Sequence, residues 1–124
     1  GKPRKRGKGY FNHQCSIWAR ETTDNFMWLV DHTLEMFTER MVRWPGSKEH
    51  FTLDFIKWCK NNLHNTIINK SGLTEFAVAI NQDCNCRQQN SDFDNLPVID
   101  QYREYIRKDK PFATWTLVSK PNWY

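Results

Sequence analysis

Between His13 and Arg43 the chain sets a histidine, a thiol, cations and carboxylates among large aromatic side chains. The densest stretch is Cys15-Ser16-Ile17-Trp18-Ala19-Arg20-Glu21, and Trp28 follows one short step later. In one reading the Arg20 guanidinium grips a phosphate or carboxylate with two parallel hydrogen bonds. Glu21 then serves as acid, base or orienting group. In the plainer reading the two form an exposed ion pair worth under ~1 kcal/mol. A second group, Glu39, Arg43, Lys48 and His50, lies further along. It is either part of the same site or a solvated helix end, where Arg and Lys suit the dipole. Glu21, Glu39 and His50 are the catalytic candidates, and Arg20, Arg43, Lys48 and Arg103 are the phosphate-binding candidates within the folded part. His13 beside Cys15 invites a Cys–His pair, but two residues of spacing decide nothing. Asn25 and Trp28 read equally as a cap and a packing residue, and Tyr102, Tyr105 and Trp115 as core or as base-stacking platforms. His32 and His64 have no partner legible in the sequence.

These residues need elements to position them. Ser16–Glu21 reads as one helical turn. Thr22, Thr23 and Asp24 are each good N-caps. Phe26, Leu29, Val30, Thr33, Phe37, Met41 and Trp44 then follow helical spacing, so residues 24–43 read as one amphipathic helix ended by Pro45-Gly46. Asp31, Glu35 and Glu39 share one face at i, i+4 spacing, with Arg43 one turn on. Thr52 opens a second helix, with Phe55, Ile56, Cys59 and Leu63 toward the core. Thr66-Ile67-Ile68 is a short β-prone run closed by Gly72. Leu73–Ile80 is apolar and ambiguous, with helix favoured by Glu75 and two alanines. Residues 81–95 are polar and turn-rich, which reads as a loop. Asn95 and Pro97 open a third helix whose apolar face is Val98, Tyr102, Tyr105 and Ile106. The pattern predicts a mainly α, compact single domain over residues 12–124, preceded by a basic flexible arm over residues 1–11.

The charge is localised. Of 18 Lys and Arg, five (Lys2, Arg4, Lys5, Arg6 and Lys8) lie in residues 1–9 with no acid, so the other 13 face all 14 Asp and Glu and the rest of the 124-residue chain carries −1. Such an arm contacts phosphates, as clustered cations release counterions from nucleic acid, or is a solubilising tail. No run approaches the ~20 apolar residues of a membrane span. Nothing in the sequence argues for secretion, so the four cysteines read as reduced, partly buried thiols. Cys84-Asn85-Cys86 has CxC spacing rather than CxxC. No cofactor is therefore expected, and a zinc site of His13, Cys15, Cys84 and Cys86 is the lesser reading.

Several ordered blocks resemble a family of small proteins encoded by tailed phages. They are Asn12-His13-Gln14-Cys15, Trp18-Ala19-Arg20-Glu21-Thr22, Asn25-Phe26-Met27-Trp28-Leu29 and Glu39…Arg43-Trp44-Pro45-Gly46-Ser47-Lys48-Glu49-His50. Thr74-Glu75-Phe76-Ala77, Tyr102-Arg103-Glu104-Tyr105, Lys110, Phe112-Ala113-Thr114-Trp115 and Pro121-Asn122-Trp123 continue the likeness, which spans about residues 12–124. Gln14 stands where the family has Pro, Thr22 where it has Ser and Phe26 where it has Tyr. One residue is added at Pro45, and the Cys84-x-Cys86 loop departs from the family. Members carry a preceding segment similar to the first helix of the phage pyrimidine-dimer DNA glycosylase, an all-α enzyme whose N-terminal amine is its nucleophile. The resemblance implies that such a nucleophile lies ahead of Gly1. It also implies a nucleic-acid-associated protein acting in the cytoplasm of the infected host cell, as a glycosylase-like DNA repair or processing enzyme. The alternative is a non-enzymatic protein that binds a host factor or a nucleotide. Arg20, Glu21 and at least one of Glu39, Arg43 and His50 are expected in one cleft.

Overall fold

The computed structural model describes residues 10–63 and 68–124. Residues 1–9 of the arm expected over 1–11, His64 and most of the Thr66-Ile67-Ile68 run lie outside them. The described residues form a mainly α fold with no strand. Five α-helices follow in order: α1 (Gln14–Ala19), α2 (Thr23–Arg43), α3 (Leu53–Asn61), α4 (Asn85–Gln88) and α5 (Val98–Asp109). Two 3₁₀ turns, Tyr10–Asn12 and Phe93–Asn95, precede α1 and α5.

The long helix α2 begins where its cap dictates. The Thr22 hydroxyl accepts a hydrogen bond from the Asn25 N–H at 3.0 Å, satisfying one orphan donor of the first turn. Asp24 in the first turn and Arg40 and Arg43 in the last complement the helix dipole. Beyond Trp44, Gly46 turns the chain at φ +81°, a left-handed conformation that suits glycine. Helix α3 runs back along α2, since Lys60 at its end pairs with Asp31 at 2.9 Å while His50 ahead of it stacks on Phe37.

The apolar stripe of α2 is only partly buried. Val30 is 4% exposed and Phe26 and Phe37 are half-buried, but Leu29, Met41 and Trp44 are exposed. Phe55 on α3, expected in the core, is also exposed. Periodicity identified the helices but not the width of the surface that covers them.

Leu73–Ile80 is extended, not helical. The reason lies in what binds its backbone. Thr74 N–H donates to Asn25 Oδ1 at 2.9 Å, and Thr74 C=O accepts from the Trp18 indole at 3.4 Å. The Tyr102 hydroxyl donates to Ala77 C=O at 2.6 Å and accepts from Ala79 N–H at 2.9 Å. Side chains of α1, α2 and α5 thus take the groups a helix would pair internally. Residues 81–95 are not simply a loop either. They fold into α4 and a 3₁₀ turn, and bury Cys84, Cys86 and Phe93 with Ile80 as a core cluster against which Tyr102 and Tyr105 pack.

Candidate functional site

Asn25 holds the frame of the site together. It is fully buried, a costly place for an amide unless every polar atom is paired. Its Nδ2 donates to Trp18 C=O at 2.9 Å and to Thr74 Oγ1 at 2.8 Å, and its Oδ1 takes the Thr74 N–H. One side chain therefore fixes the end of α1, the start of α2 and the extended segment. Two neighbours reinforce the seam: Thr23 N–H donates to Lys70 C=O at 2.9 Å, and the Asp24 carboxylate accepts from Gly72 N–H.

On this frame stand three aromatic rings, each touching the other two. Trp18 meets Trp28 edge-on at 5.7 Å, and Phe76 lies 5.1 Å from Trp18 and 4.6 Å from Trp28. His32, one turn beyond Trp28, stacks on it at 4.8 Å and 13°. The rings line a cavity of about 910 Å³, whose far wall is Ile99, Tyr102, Arg103 and Ile106 of α5 with Trp123 of the C-terminal segment. That volume is at the upper end of the ~300–1,000 Å³ usual for small-molecule sites. Arg20 and Arg103 are among its lining residues. Arg20 lies 4.0 Å over the Phe11 ring and donates to Phe11 C=O. Arg103 lies 5.5 Å over Trp123 and 3.5 Å from Asp100. No carboxylate is among the lining residues. The wall thus offers apolar faces and positive charge, with His32, Cys15 and Tyr102 as its other titratable groups.

The chain matches no family model, no curated protein and no solved structure.

The sequence candidates separate into two places. Arg20 and Arg103 line the aromatic cavity, whereas Glu39, Arg43 and His50 line another cavity, of about 640 Å³, along the second half of α2. His32 lines both. The single cleft expected for Arg20, Glu21 and at least one of Glu39, Arg43 and His50 is not assembled: Arg20 lines one cavity and the other three line another, and a helix of 21 residues is about 30 Å long. Glu21 is exposed and accepts from the Thr74 hydroxyl at 3.4 Å, outside the cavity wall. Glu39 and Arg43 pair with each other at 2.8 Å, and the Arg43 guanidinium lies 5.8 Å over Trp115. His50 is sandwiched between Phe37 and Phe51, and its Nδ1 meets the Thr52 hydroxyl at 2.7 Å and accepts from Thr52 N–H at 3.3 Å. That is the geometry of a residue starting α3. Lys48 lines a third, smaller cavity together with His50. Lys2, Arg4, Lys5, Arg6 and Lys8 lie outside the described residues.

His13 caps α1, its Nδ1 accepting the Cys15 N–H at 3.2 Å. His13 and Cys15 do not gather with Cys84 and Cys86. The second thiol pair meets Asp109 instead. Cys84 Sγ and Cys86 Sγ stand 2.8 Å apart, and the Asp109 carboxylate accepts from the N–H groups of Asn85 and Cys86 at 2.7 and 3.0 Å. Burial, the Cys84 thiol and the nearby carboxylate push the Cys86 thiol from 9.0 up to about 12. Burial also acts to raise Asp109, but the two backbone N–H groups, the Cys86 thiol and Lys110 outweigh it and hold the carboxyl below its ordinary value.

Sequence reasoning missed Thr74, Phe76 and Asp109 and left Asn25 as a possible cap. The contact of Asn25 with Thr74 spans 49 positions and leaves no periodic signal in the sequence. Nothing in the chain connects Asp109 with the CxC pair before the fold is known.

Proposed function

We propose that the chain is a nucleic-acid-associated phage protein that seats a base in the Trp18–Trp28–Phe76 cavity, with Arg20 and Arg103 taking the adjoining phosphates. The observation that carries this reading is a large aromatic cavity lined by two arginines and by no carboxylate. Bases stack on aromatic faces at ~1–3 kcal/mol each, and guanidinium groups recognise phosphate in a planar, two-pronged manner. The basic arm, Lys2 to Lys8, adds contacts along the backbone. The lining favours binding over acid–base chemistry. A glycosylase-like step on a flipped base, as the family resemblance implies, would draw on Glu21 from outside the wall.

Titrating the chain with a single-stranded oligonucleotide while following tryptophan emission tests this reading. Trp28→Ala and Arg103→Ala should each weaken binding by about tenfold or more, the equivalent of ~1.4 kcal/mol. Removing residues 1–9 should reduce the salt dependence of the affinity by several units. Undiminished affinity in both cavity variants would remove the cavity from the binding site. Cleavage of damaged duplex, lost in Glu21→Gln while binding persists, would establish the processing reaction.

The second reading, a free nucleotide as ligand, rests on the cavity being roomy enough for one. It is favoured if a mononucleotide binds as tightly as the oligonucleotide and arm removal changes neither.

A further inference from the structure

We infer that Cys84, Cys86 and Asp109 form a binding site for one soft divalent metal ion of the zinc class, which clamps α4 to the end of α5. Two thiols and a carboxylate place one potential ligand atom each within 4.8 Å of one another. Among the described residues this is the group of three or more His, Cys, Asp or Glu so arranged. Cys86 is 1% exposed and Cys84 8%, so the sulfurs face one another in a nearly dry site. Asp109 is half-buried and gives an ion access.

The donor chemistry selects the ion. Two thiolates with a carboxylate suit zinc and its analogues rather than magnesium or calcium, which take oxygen donors. Zinc–sulfur bonds of ~2.3 Å at a tetrahedral angle need sulfurs about 3.8 Å apart. The present separation is 2.8 Å, so the sulfurs must move apart by about 1 Å on binding. The carboxylate is already oriented. Both oxygens hold N–H groups of the first turn of α4, and each keeps a further lone pair. This is the hydrogen-bonded support that metal ligands commonly have. No ion pair engages Asp109 among the described residues, and the Lys110 ammonium lies over the Tyr105 and Phe112 rings. Binding releases one proton from each thiol to solvent, and three protein ligands leave the fourth tetrahedral position to water. The clamp would stiffen α5, which carries Tyr102, Arg103 and Ile106 of the cavity, but it stands whatever occupies that cavity.

The test is titration of the reduced full chain with Co²⁺, read by sulfur-to-cobalt charge-transfer absorption, followed by displacement with Zn²⁺. One ion per chain is expected. Cys84→Ser and Cys86→Ser should lose the charge-transfer band, and Asp109→Asn should weaken binding by at least an order of magnitude. Alkylation of the unaltered chain with and without Zn²⁺, mapped by mass, keeps the test independent of how the variants fold. Zinc should protect Cys84 and Cys86 while Cys15 still reacts. Protection falling on Cys15 and Cys59 would overturn the site. So would equal binding by the Cys84→Ser/Cys86→Ser chain. A reduced chain that takes up no metal, and loses two hydrogens across Cys84 and Cys86 with oxidised glutathione, would make the pair a redox couple and refute the proposal.

Discussion

The two ends of α2 are held in different ways. At its start, Thr23, Asp24 and Asn25 bind the backbone of residues 70–74 across nearly fifty positions of sequence. The extended segment then passes to Tyr102, and α5 ends on Asp109, which secures α4. This half is a chain of directional polar bonds with aromatics packed between them. The other half, from Met36 through α3, is held by ring stacking at His50 and the half-exposed Lys60–Asp31 pair. It leaves Met36, Trp44, Phe51, Phe55 and Trp58 exposed. Hydrogen bonds fix angles and distances, whereas apolar contact is non-directional. The bonded half can therefore hold a preformed cavity in register, and that is where the aromatic cavity lies.

The largest expected effect is on the frame itself. Asn25→Ala orphans Thr74 N–H and removes one of two hydrogen bonds each from Trp18 C=O and the Thr74 hydroxyl, which keep Glu21 N–H and the Glu21 carboxylate. At ~1–3 kcal/mol for the orphaned N–H and ~0.5–1.5 kcal/mol for each of the two other lost hydrogen bonds, the cost is about 2–5 kcal/mol, a large share of the ~5–15 kcal/mol a domain has. Urea denaturation should show this as a lower midpoint. A loss under ~1 kcal/mol would mean that water replaces Asn25 and that the seam is not what fixes the cavity.

Next comes a pair of phenylalanines. Phe76 packs against both Trp18 and Trp28, so Phe76→Ala should cost about 3 kcal/mol, the lower end for a buried aromatic, and perturb tryptophan emission. Phe55 is 62% exposed and stacks on an equally exposed Trp58, so Phe55→Ala should stay within about 0.5 kcal/mol. Equal losses at the two positions would mean that α3 is covered in solution, for instance by a second copy, which sedimentation would detect.

The sequence made the helices of both halves easy to read and the contacts that join them hard. Residues 24–43 and the helix opened by Asn95 and Pro97 announce themselves by apolar spacing and capping residues, and both helices form. The cavity depends instead on Asn25 reaching Thr74 and on Tyr102 reaching Ala77, contacts that carry no periodic signature. For the same reason Leu73–Ile80 reads as helix by composition, although side chains from three helices occupy its backbone. The polarity of residues 81–95 hid a core because two cysteines and one phenylalanine are enough to build it. In the candidate site, Trp18, Arg20, Trp28 and Arg103 were legible from residue type, whereas the grouping of Arg20 with Glu39, Arg43 or His50 was not. A straight helix separates them.

A third outcome concerns alkali. The folded Cys86 thiol titrates near 12 against an ordinary 9.0, so the native state keeps a proton that the unfolded state releases. Its contribution is full below pH 9 and is lost as pH rises toward 12. Without metal, the unaltered chain should lose stability over that window and Cys86→Ala should lose less. The depressed Asp109 carboxyl acts in the opposite direction: its stabilisation is present above the ordinary carboxylate range and disappears as acid protonates it. Parallel alkaline curves for the two chains would show that the thiol is solvated and that this end of the bonded half is loose.

The smallest effect belongs to Arg43. Its pair with Glu39 joins residues one turn apart on the same helix, and Glu39 is 48% exposed, so water and salt screen the attraction. Its guanidinium also faces Trp115, which lies in the C-terminal segment. At an exposed site such a contact is worth ~0.5–1 kcal/mol. Arg43→Ala should therefore cost under about 1 kcal/mol, with the ion-pair part fading in 1 M NaCl, where the Debye length is only ~3 Å. A cycle with Trp115→Phe separates the two contributions, since it retains a ring but weakens the cation contact. Coupling well above ~1 kcal/mol would mean that Arg43 anchors the C-terminal segment to α2. The open half would then be joined to Trp123, and through it to the cavity, by more than apolar contact.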